Sequence, residues 1–205
     1  LVVIGKEAIR LAPEFGYFVL LIVVLNFFLG YLGADFFSGI VHFLGDTFGT
    51  ETTPVLGASF IKPFREHHVD PKGMTRHDFV ETSGNNCIVS LPPMILIYHF
   101  LEINQSLVVF GFFIFFSFLM IFVFITNQIH KWAHMEDPGK LIRFLQKNNL
   151  ILSPDHHQVH HTAPHDSYYC ITVGWLNPIL FKIKFFEGIK YLTKRTLGRW
   201  VVIAN

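Results

Sequence analysis

The sequence predicts an all-α integral membrane protein of about three to four transmembrane helices, with a cytoplasmic His-rich cap and interfacial amphipathic helices. Three observations carry that reading. Hydrophobic residues make up 51% of the 205 positions, with 24 Phe, which is not the composition of an ordinary soluble domain. Uncharged runs long enough to cross a bilayer recur along the chain. Eleven of the twelve histidines lie between or after those runs, gathered into short clusters.

The run at 106–126, SLVVFGFFIFFSFLMIFVFIT, holds no charge and no proline, and a helix of that length crosses the hydrocarbon. A second run at 16–34, GYFVLLIVVLNFFLGYLGA, is followed at once by Asp35 and reads as a span rather than a removable signal peptide. The third, at 87–101, carries Pro92 and Pro93. It spans only as a kinked helix whose freed carbonyls find other partners. With four residues, 102–105, joining the last two runs, residues 35–86 and everything after 126 fall on one side. That side carries 14 of the 16 Lys and Arg, all but Lys6 and Arg10, so the positive-inside bias makes it cytoplasmic. His99 lies near the opposite end of its span and is set apart from the other histidines.

No internal repeat or low-complexity linker interrupts the chain, so one membrane domain over 1–205 is the simplest organisation. Residues 43–85 read as short helices packed over the membrane face. The stretches 139–149 and 178–197 mix Ile, Leu and Phe with Lys and Arg, as helices lying in the interface do. Trp132, Trp175 and Trp200 suit headgroup depth or core packing. Cys87 and Cys170 both fall on the reducing side and are expected as free thiols. The triplet Asn104-Gln105-Ser106 fits a glycosylation pattern but abuts a span, too close for a transferase.

The histidines sort by spacing. His42 closes DFFSGIVHFLGD with Asp46 one turn on; PFREHH supplies His67 and His68; MTRHDF supplies His77 beside Asp78. TNQIHKWAH sets His130 and His134 four apart, on one helical face. In SPDHHQVHHTAPHDSYYC, His157, His160 and His161 stand at i, i+3 and i+4, His156 pairs with His160, and His165 follows. One such pair is weak evidence, but four clusters on one side of a membrane are strong together. Neutral imidazole suits Zn, Cu, Fe and Ni alike, so ligand type does not name the metal. Eight to eleven imidazoles exceed the three or four of a single zinc site and suit two metals held close together. Asp46, Glu66, Asp78, Asp155 and Asp166 are expected as acceptors that orient imidazoles rather than as ligands.

Taken in order, DFFSGIVHFLGDTFG, FIKPFREHHVDP, TRHDFVETSGNNC, TNQIHKWAH and HHQVHHTAPHDSYYCITVGWLN resemble the plasmanylethanolamine desaturase family, the Kua and bacterial CarF-type proteins, within the His-box membrane desaturase and hydroxylase superfamily. The resemblance runs from about residue 34 to 177. It implies an oxidoreductase with a non-haem di-iron centre, two iron ions, O2 as co-substrate, and electrons from a carrier such as cytochrome b5 or a ferredoxin with its reductase. The implied product is a plasmalogen, its vinyl ether made from the 1-O-alkyl chain of an ether phospholipid. Carried over by motif, the metal ligands are His42, His67, His68, His130, His134, His157, His160 and His161. Additional ligands or orienting groups are His77, His156, His165, Asp46, Glu66, Asp78 and Asn127. Lys62, Arg65 and Arg76 are candidates for a headgroup phosphate, with interfacial anchoring as the alternative.

A desaturase or hydroxylase of phospholipid acyl chains would use the same ligands. A metal transporter or sensor is the alternative from another class; it would place ligands near the bilayer midplane, yet the 106–126 run has no ionisable residue. A zinc-dependent membrane hydrolase, with Glu66 as its acid or base, ranks third. No nucleic-acid partner is expected. The site is expected on the cytoplasmic side of the endoplasmic reticulum or of a bacterial inner membrane.

Overall fold

The computed structural model describes residues 1–100 and 106–198. The 102–105 connection, the Asn104-Gln105-Ser106 triplet, Leu101 and Trp200 therefore lie outside the described residues or run into them. The described chain is all α, with 3-10 and π turns between helices: α1 (Val2–Phe15), α2 (Tyr17–Thr47), a π turn (Gly57–Ile61), α3 (Lys62–Val69), a 3-10 turn (Gly73–Arg76), α4 (Phe79–Phe100), α5 (Leu107–His134), α6 (Lys140–Lys147), α7 (Pro154–His160), α8 (Asn177–Lys182) and α9 (Phe185–Leu197).

Two helices, α2 and α5, are long and apolar enough to cross a membrane. At 1.5 Å per residue, the 31 residues of α2 reach about 46 Å and the 28 of α5 about 42 Å, against about 30 Å of hydrocarbon. Each therefore continues well past the apolar run that marks it in the sequence, and the overrun is what carries histidines. The two pack together closely. At Gly30 a Cβ would stand 2.8 Å from the Leu119 backbone N and from Phe118 Cβ, so only glycine permits this crossing. Phe27 adds edge-on contacts to Phe118 and Phe122 at 5.1 and 5.3 Å. At the other end Ile4 and Leu11 of α1 bury against Phe110, Phe113 and Ile114.

The run expected to span from residue 87 belongs to a helix that begins eight residues earlier. Its start is set by a reciprocal cap: Glu81 Oε2 accepts from Asp78 N (2.9 Å) and Asp78 Oδ1 accepts from Glu81 N (2.8 Å). Pro92 and Pro93 sit inside α4 without ending it. The basic stretch at 178–197 is not one helix but two. Lys184 adopts a left-handed conformation (φ 54°) between α8 and α9, which turns Phe186 into a cluster with Phe43, Tyr169 and Leu180. Leu141 and Phe144 on α6, and Ile179 and Phe181 on α8, are exposed on helices that also carry lysine or arginine. Trp132 packs on the Ile129 cluster, and Trp175 Nε1 donates to the Asn149 carbonyl (2.8 Å). Cys87 and Cys170 are free thiols. Burial pushes the Cys170 thiol far above its ordinary range.

Asp35, expected as the residue that ends the first span, is instead fully buried in mid-helix. Its Oδ1 accepts from the backbone N–H groups of Thr172 (3.2 Å), Val173 (2.8 Å) and Gly174 (2.8 Å), and its Oδ2 from Leu176 N (3.3 Å). One turn on, Ser38 Oγ accepts from Ile171 N (3.0 Å). Asn177 closes the same segment on itself, its amide bonding both Cys170 N (2.8 Å) and Cys170 O (2.9 Å). An Asp35→Ala variant leaves four N–H groups without an acceptor, three of them buried, and should lose about 3 kcal/mol or more of stability. Thermal melting in detergent, with limited proteolysis of the segment 161–176, should register both the loss and the opening.

Candidate metal centre

The stripe that holds the return segment also carries ligands. Asp35, Ser38, His42 and Asp46 recur at three or four residues, so one face of α2 meets residues 170–176 first and donor atoms next. On α5, His130 and His134 stack one turn apart beyond the apolar run. On α7, Ser153 caps the N-terminus by accepting from His156 N (3.3 Å), which fixes the turn that aims His157, His160 and His161 inward. From α3 come His67 and His68.

These side chains form two groups. In the first, one ligand atom each from His67, His130, His134, His157 and His161 lies within 4.8 Å of all the others; in the second, the same holds for His42, Asp46, His68 and His160. Inside the first group, Nε2 separations are 2.7 Å for His130–His157, 3.0 Å for His161–His157, 3.1 Å for His161–His67 and 3.3 Å for His134–His130. Inside the second, His160 Nε2 stands 3.1 Å from His42 Nε2, and Asp46 lies 3.1 Å from His68 Nε2 and 3.5 Å from both His42 and His160 Nε2. The groups abut, with ring centroids 5.3 Å apart for His68–His161, 5.7 Å for His157–His160 and 5.8 Å for His42–His130.

Imidazole nitrogens crowded this way cannot all be satisfied by one another. A neutral ring offers one donor and one acceptor, so five Nε2 atoms around a point leave lone pairs facing lone pairs. Both Asp46 carboxylate oxygens and His68 Nε2 are buried, and although Asp46 stands 3.1 Å from His68 Nε2, no hydrogen bond of good geometry forms at any of the three atoms among the described residues. Burial and the neighbouring imidazoles hold His67 and His157 well below the usual histidine range, and His161 down at about 2, so each presents a neutral ring. His160 Nδ1 lies 2.7 Å from the Ser167 carbonyl, which selects the tautomer whose Nε2 lone pair faces the group. A cation at each group resolves all of these conflicts. Nitrogen donors with one carboxylate suit a first-row transition ion such as iron or zinc.

All eight histidines carried over by motif enter these groups. Asp46, expected as an orienting acceptor, joins the second group directly, because one helical turn places its carboxylate beside His42. The remaining expectations sort differently. His156 points away from His160: its Nε2 bonds Asn177 Nδ2 (3.1 Å) and its ring lies 5.1 Å from Tyr168. His165 flanks the second group, its ring 4.6 Å from His68 and its Nδ1 3.1 Å from the His160 carbonyl. Asp78 is spent on the α4 cap. Glu66 is exposed beside Lys62 (3.4 Å), and Asp155 and Asp166 are exposed. Asn127 donates to the Thr82 carbonyl (3.2 Å), and His77 lines a neighbouring cavity. The three headgroup candidates already have protein partners: Lys62 has Glu66, Arg65 donates to the Gly49 carbonyl (2.8 Å), and Arg76 pairs with Asp70 (2.6 Å). His99 is exposed near the other end of α4. Sequence reasoning missed Asp35, Ser38 and Asn177 as positioning groups. The placement of a lone Asp directly after an apolar run was the available signal.

The family model of the lipid desaturase domain matches residues 31–200, which spans every residue of both groups. The chain belongs to the lipid desaturase family. Among curated relatives, it is 54% identical over 186 residues to a plasmanylethanolamine desaturase of Myxococcus xanthus, covering 91% of this chain and 64% of that protein. It is 44% identical over 183 residues to plasmanylethanolamine desaturase 1 of Mus musculus, covering 86% and 67%. A chloroplastic fatty acid desaturase 4 of Arabidopsis thaliana is 32% identical over 173 residues, covering 83% and 51%. The chain thus spans half to two thirds of the length of these relatives. No solved structure matches it.

Two ions per chain are expected by elemental analysis after anaerobic loading with iron(II). Asp46→Ala and His68→Ala should each lower that count toward one, whereas His156→Ala should leave it at two.

Proposed function

We propose that this protein is an O2-dependent lipid desaturase that converts the 1-O-alkyl chain of plasmanylethanolamine to the vinyl ether of a plasmalogen. The observation that carries the reading is where the first histidine group faces. A cavity of about 290 Å3 has His67 and His130 in its wall, together with Ser59, Phe64, Glu81 and Asn127. A narrower space of about 40 Å3 shares Phe64, Asn127 and Ile171 with it and adds Ala34, Phe37, Val41 and Val123. Further along the α4–α5 seam, an apolar cavity of about 260 Å3 is lined by Leu91, Ile95, Phe113 and Ile121 among others. From His130 to Phe113 the helix rise is about 25 Å, comparable to a long alkyl chain. The order from polar to apolar suits a phospholipid lying along the seam, head toward the histidines.

Chemistry at the first two carbons of a chain requires the oxidant beside the glycerol, not deep among methylenes. The polar cavity meets that requirement, and it favours the ether-adjacent bond over a mid-chain one. His67, His130, His134, His157 and His161 would hold one iron; His42, Asp46, His68 and His160 would hold the other. When bound, the pair supplies O2 reduction coupled to hydrogen abstraction. In the balanced reaction an O–CH2–CH2 unit, O2, two electrons and two protons give O–CH=CH and two waters. The chain's own residues orient the lipid and exclude water: Phe64 stands 5.1 Å from the His42 ring and walls the narrow space between the cavities. The electrons would come from a small carrier such as cytochrome b5 or a ferredoxin. In this reading α2, α4 and α5 all cross the bilayer, and the centre faces the cytoplasm, at the endoplasmic reticulum or a bacterial inner membrane.

Lipid mass spectrometry on cells that make alkyl-ether phospholipids but lack plasmalogens tests the reading. Expression of the chain should yield an acid-labile species two hydrogens lighter than its precursor, and His161→Ala should reduce it to background. Unchanged ether lipids with iron-loaded protein and a competent donor would direct the search to acyl chains.

A further inference from the structure

The cavity that opens on His67 and His130 has an uneven charge. Its described lining includes Ser59, His77, Glu81, Asn85 and Asn127, and among those lining residues Glu81 is the one carboxylate, with no Lys or Arg. A pocket built for an anionic headgroup would be expected to present guanidinium or ammonium groups. The arginines and lysines nearest in sequence are engaged elsewhere: Arg76 with Asp70, Lys72 with Glu136 (2.5 Å), and Arg65 with the Gly49 carbonyl. Lys131 donates to the backbone carbonyl of His77. Amides and a carboxylate instead offer acceptors, which suit a group that donates several hydrogen bonds and carries positive charge.

We infer that Glu81 selects the lipid headgroup, its carboxylate receiving the primary ammonium of an ethanolamine phospholipid and disfavouring headgroups that lack a cation. The inference rests on the desaturase reading for what happens to that lipid, but not for its binding. Glu81 also has a structural duty, since Oε2 accepts from Asp78 N at the start of α4. The two roles separate chemically. A carboxylate has more acceptor sites than the one the cap uses, and Gln at the same position keeps the capping bond while removing the charge. Asn85, one turn further along α4, and Asn127 on α5 supply the neutral acceptors around it.

The test compares the full chain with Glu81→Gln in detergent, offered an equimolar mixture of 1-O-alkyl ether phospholipids bearing ethanolamine or glycerol headgroups. Retained lipid is counted by mass spectrometry. Wild type should enrich the ethanolamine lipid, and Glu81→Gln should reduce that enrichment roughly tenfold, as expected for loss of one charge-assisted hydrogen bond, with an unchanged melting temperature. Glu81→Ala should lose the enrichment and also melt lower, because the cap goes with it. An unbiased wild type, or an enrichment that survives in Glu81→Gln, overturns the inference. If binding depends on Glu81 while iron-loaded wild type, given O2 and a competent electron donor, forms no vinyl ether from either lipid, the desaturase reading falls and the headgroup site stands.

Discussion

The buried carboxylate of Asp35 is the interaction on which the rest of the arrangement depends. Four backbone N–H groups from Thr172, Val173, Gly174 and Leu176 converge on it, and no other described group neutralises it. Burying a carboxylate costs several kcal/mol, and each of these bonds offsets part of that cost, at about 1.5–3 kcal/mol where the acceptor is charged. The bonds form only when the segment after α7 folds back onto the middle of α2. That return brings His157, His160 and His161 to the ends of α2 and α5. Without it, the histidines of α7 would hang from a polar loop, and neither donor group would close.

Convergence creates a second constraint. Five imidazole nitrogens within 4.8 Å, and a carboxylate with three more nitrogens beside them, form an arrangement with unsatisfied lone pairs. Protonation does not relieve it, because neighbouring rings and burial oppose added charge at His67, His157 and His161. Divalent cations would relieve it, and metal binding would then share one free-energy balance with completion of the fold. The supporting groups follow the same logic: the Ser167 carbonyl sets the His160 tautomer, and Asn177 fixes residue 170 against its own helix start.

Much of this was legible in the residues. Runs without charge gave α2 and α5, and helical spacing of histidines gave His130 with His134 and three of the four histidines on α7 and its C-cap. What spacing could not supply was direction. His156 lies at i+4 from His160, yet α7 is two turns long and its flank is taken by Asn177 and Tyr168, so tertiary contact decides which imidazoles turn inward. Asp78 shows the same limit from the other side: adjacency to His77 suggested an orienting role, but a local helix cap with Glu81 claims both its carboxylate and its N–H. Asp46 was underrated because adjacency says little about whether a carboxylate, one turn from a ligand, will meet rings from two other helices.

The overrun of α2 and α5 beyond the hydrocarbon links these features to regiochemistry. With about 46 Å and 42 Å of helix against a core of about 30 Å, two helices that span would carry the residues of their last turns to headgroup depth or beyond it. In the proposed reading, a donor set built there would meet the polar end of a lipid. To oxidise a bond in mid-chain, such a centre would have to draw the head away from the interface, past it, and pull methylenes up after it. To oxidise the first two carbons, it needs only a lipid in its ordinary orientation, its glycerol in a polar cavity and its chain running down the α4–α5 seam. Phe64 then matters as a wall rather than a reactant: packed where Gly45 leaves no room for a side chain, with a Cβ there only 2.7 Å from its ring, it lines both the polar cavity beside His67 and the narrower apolar space next to it.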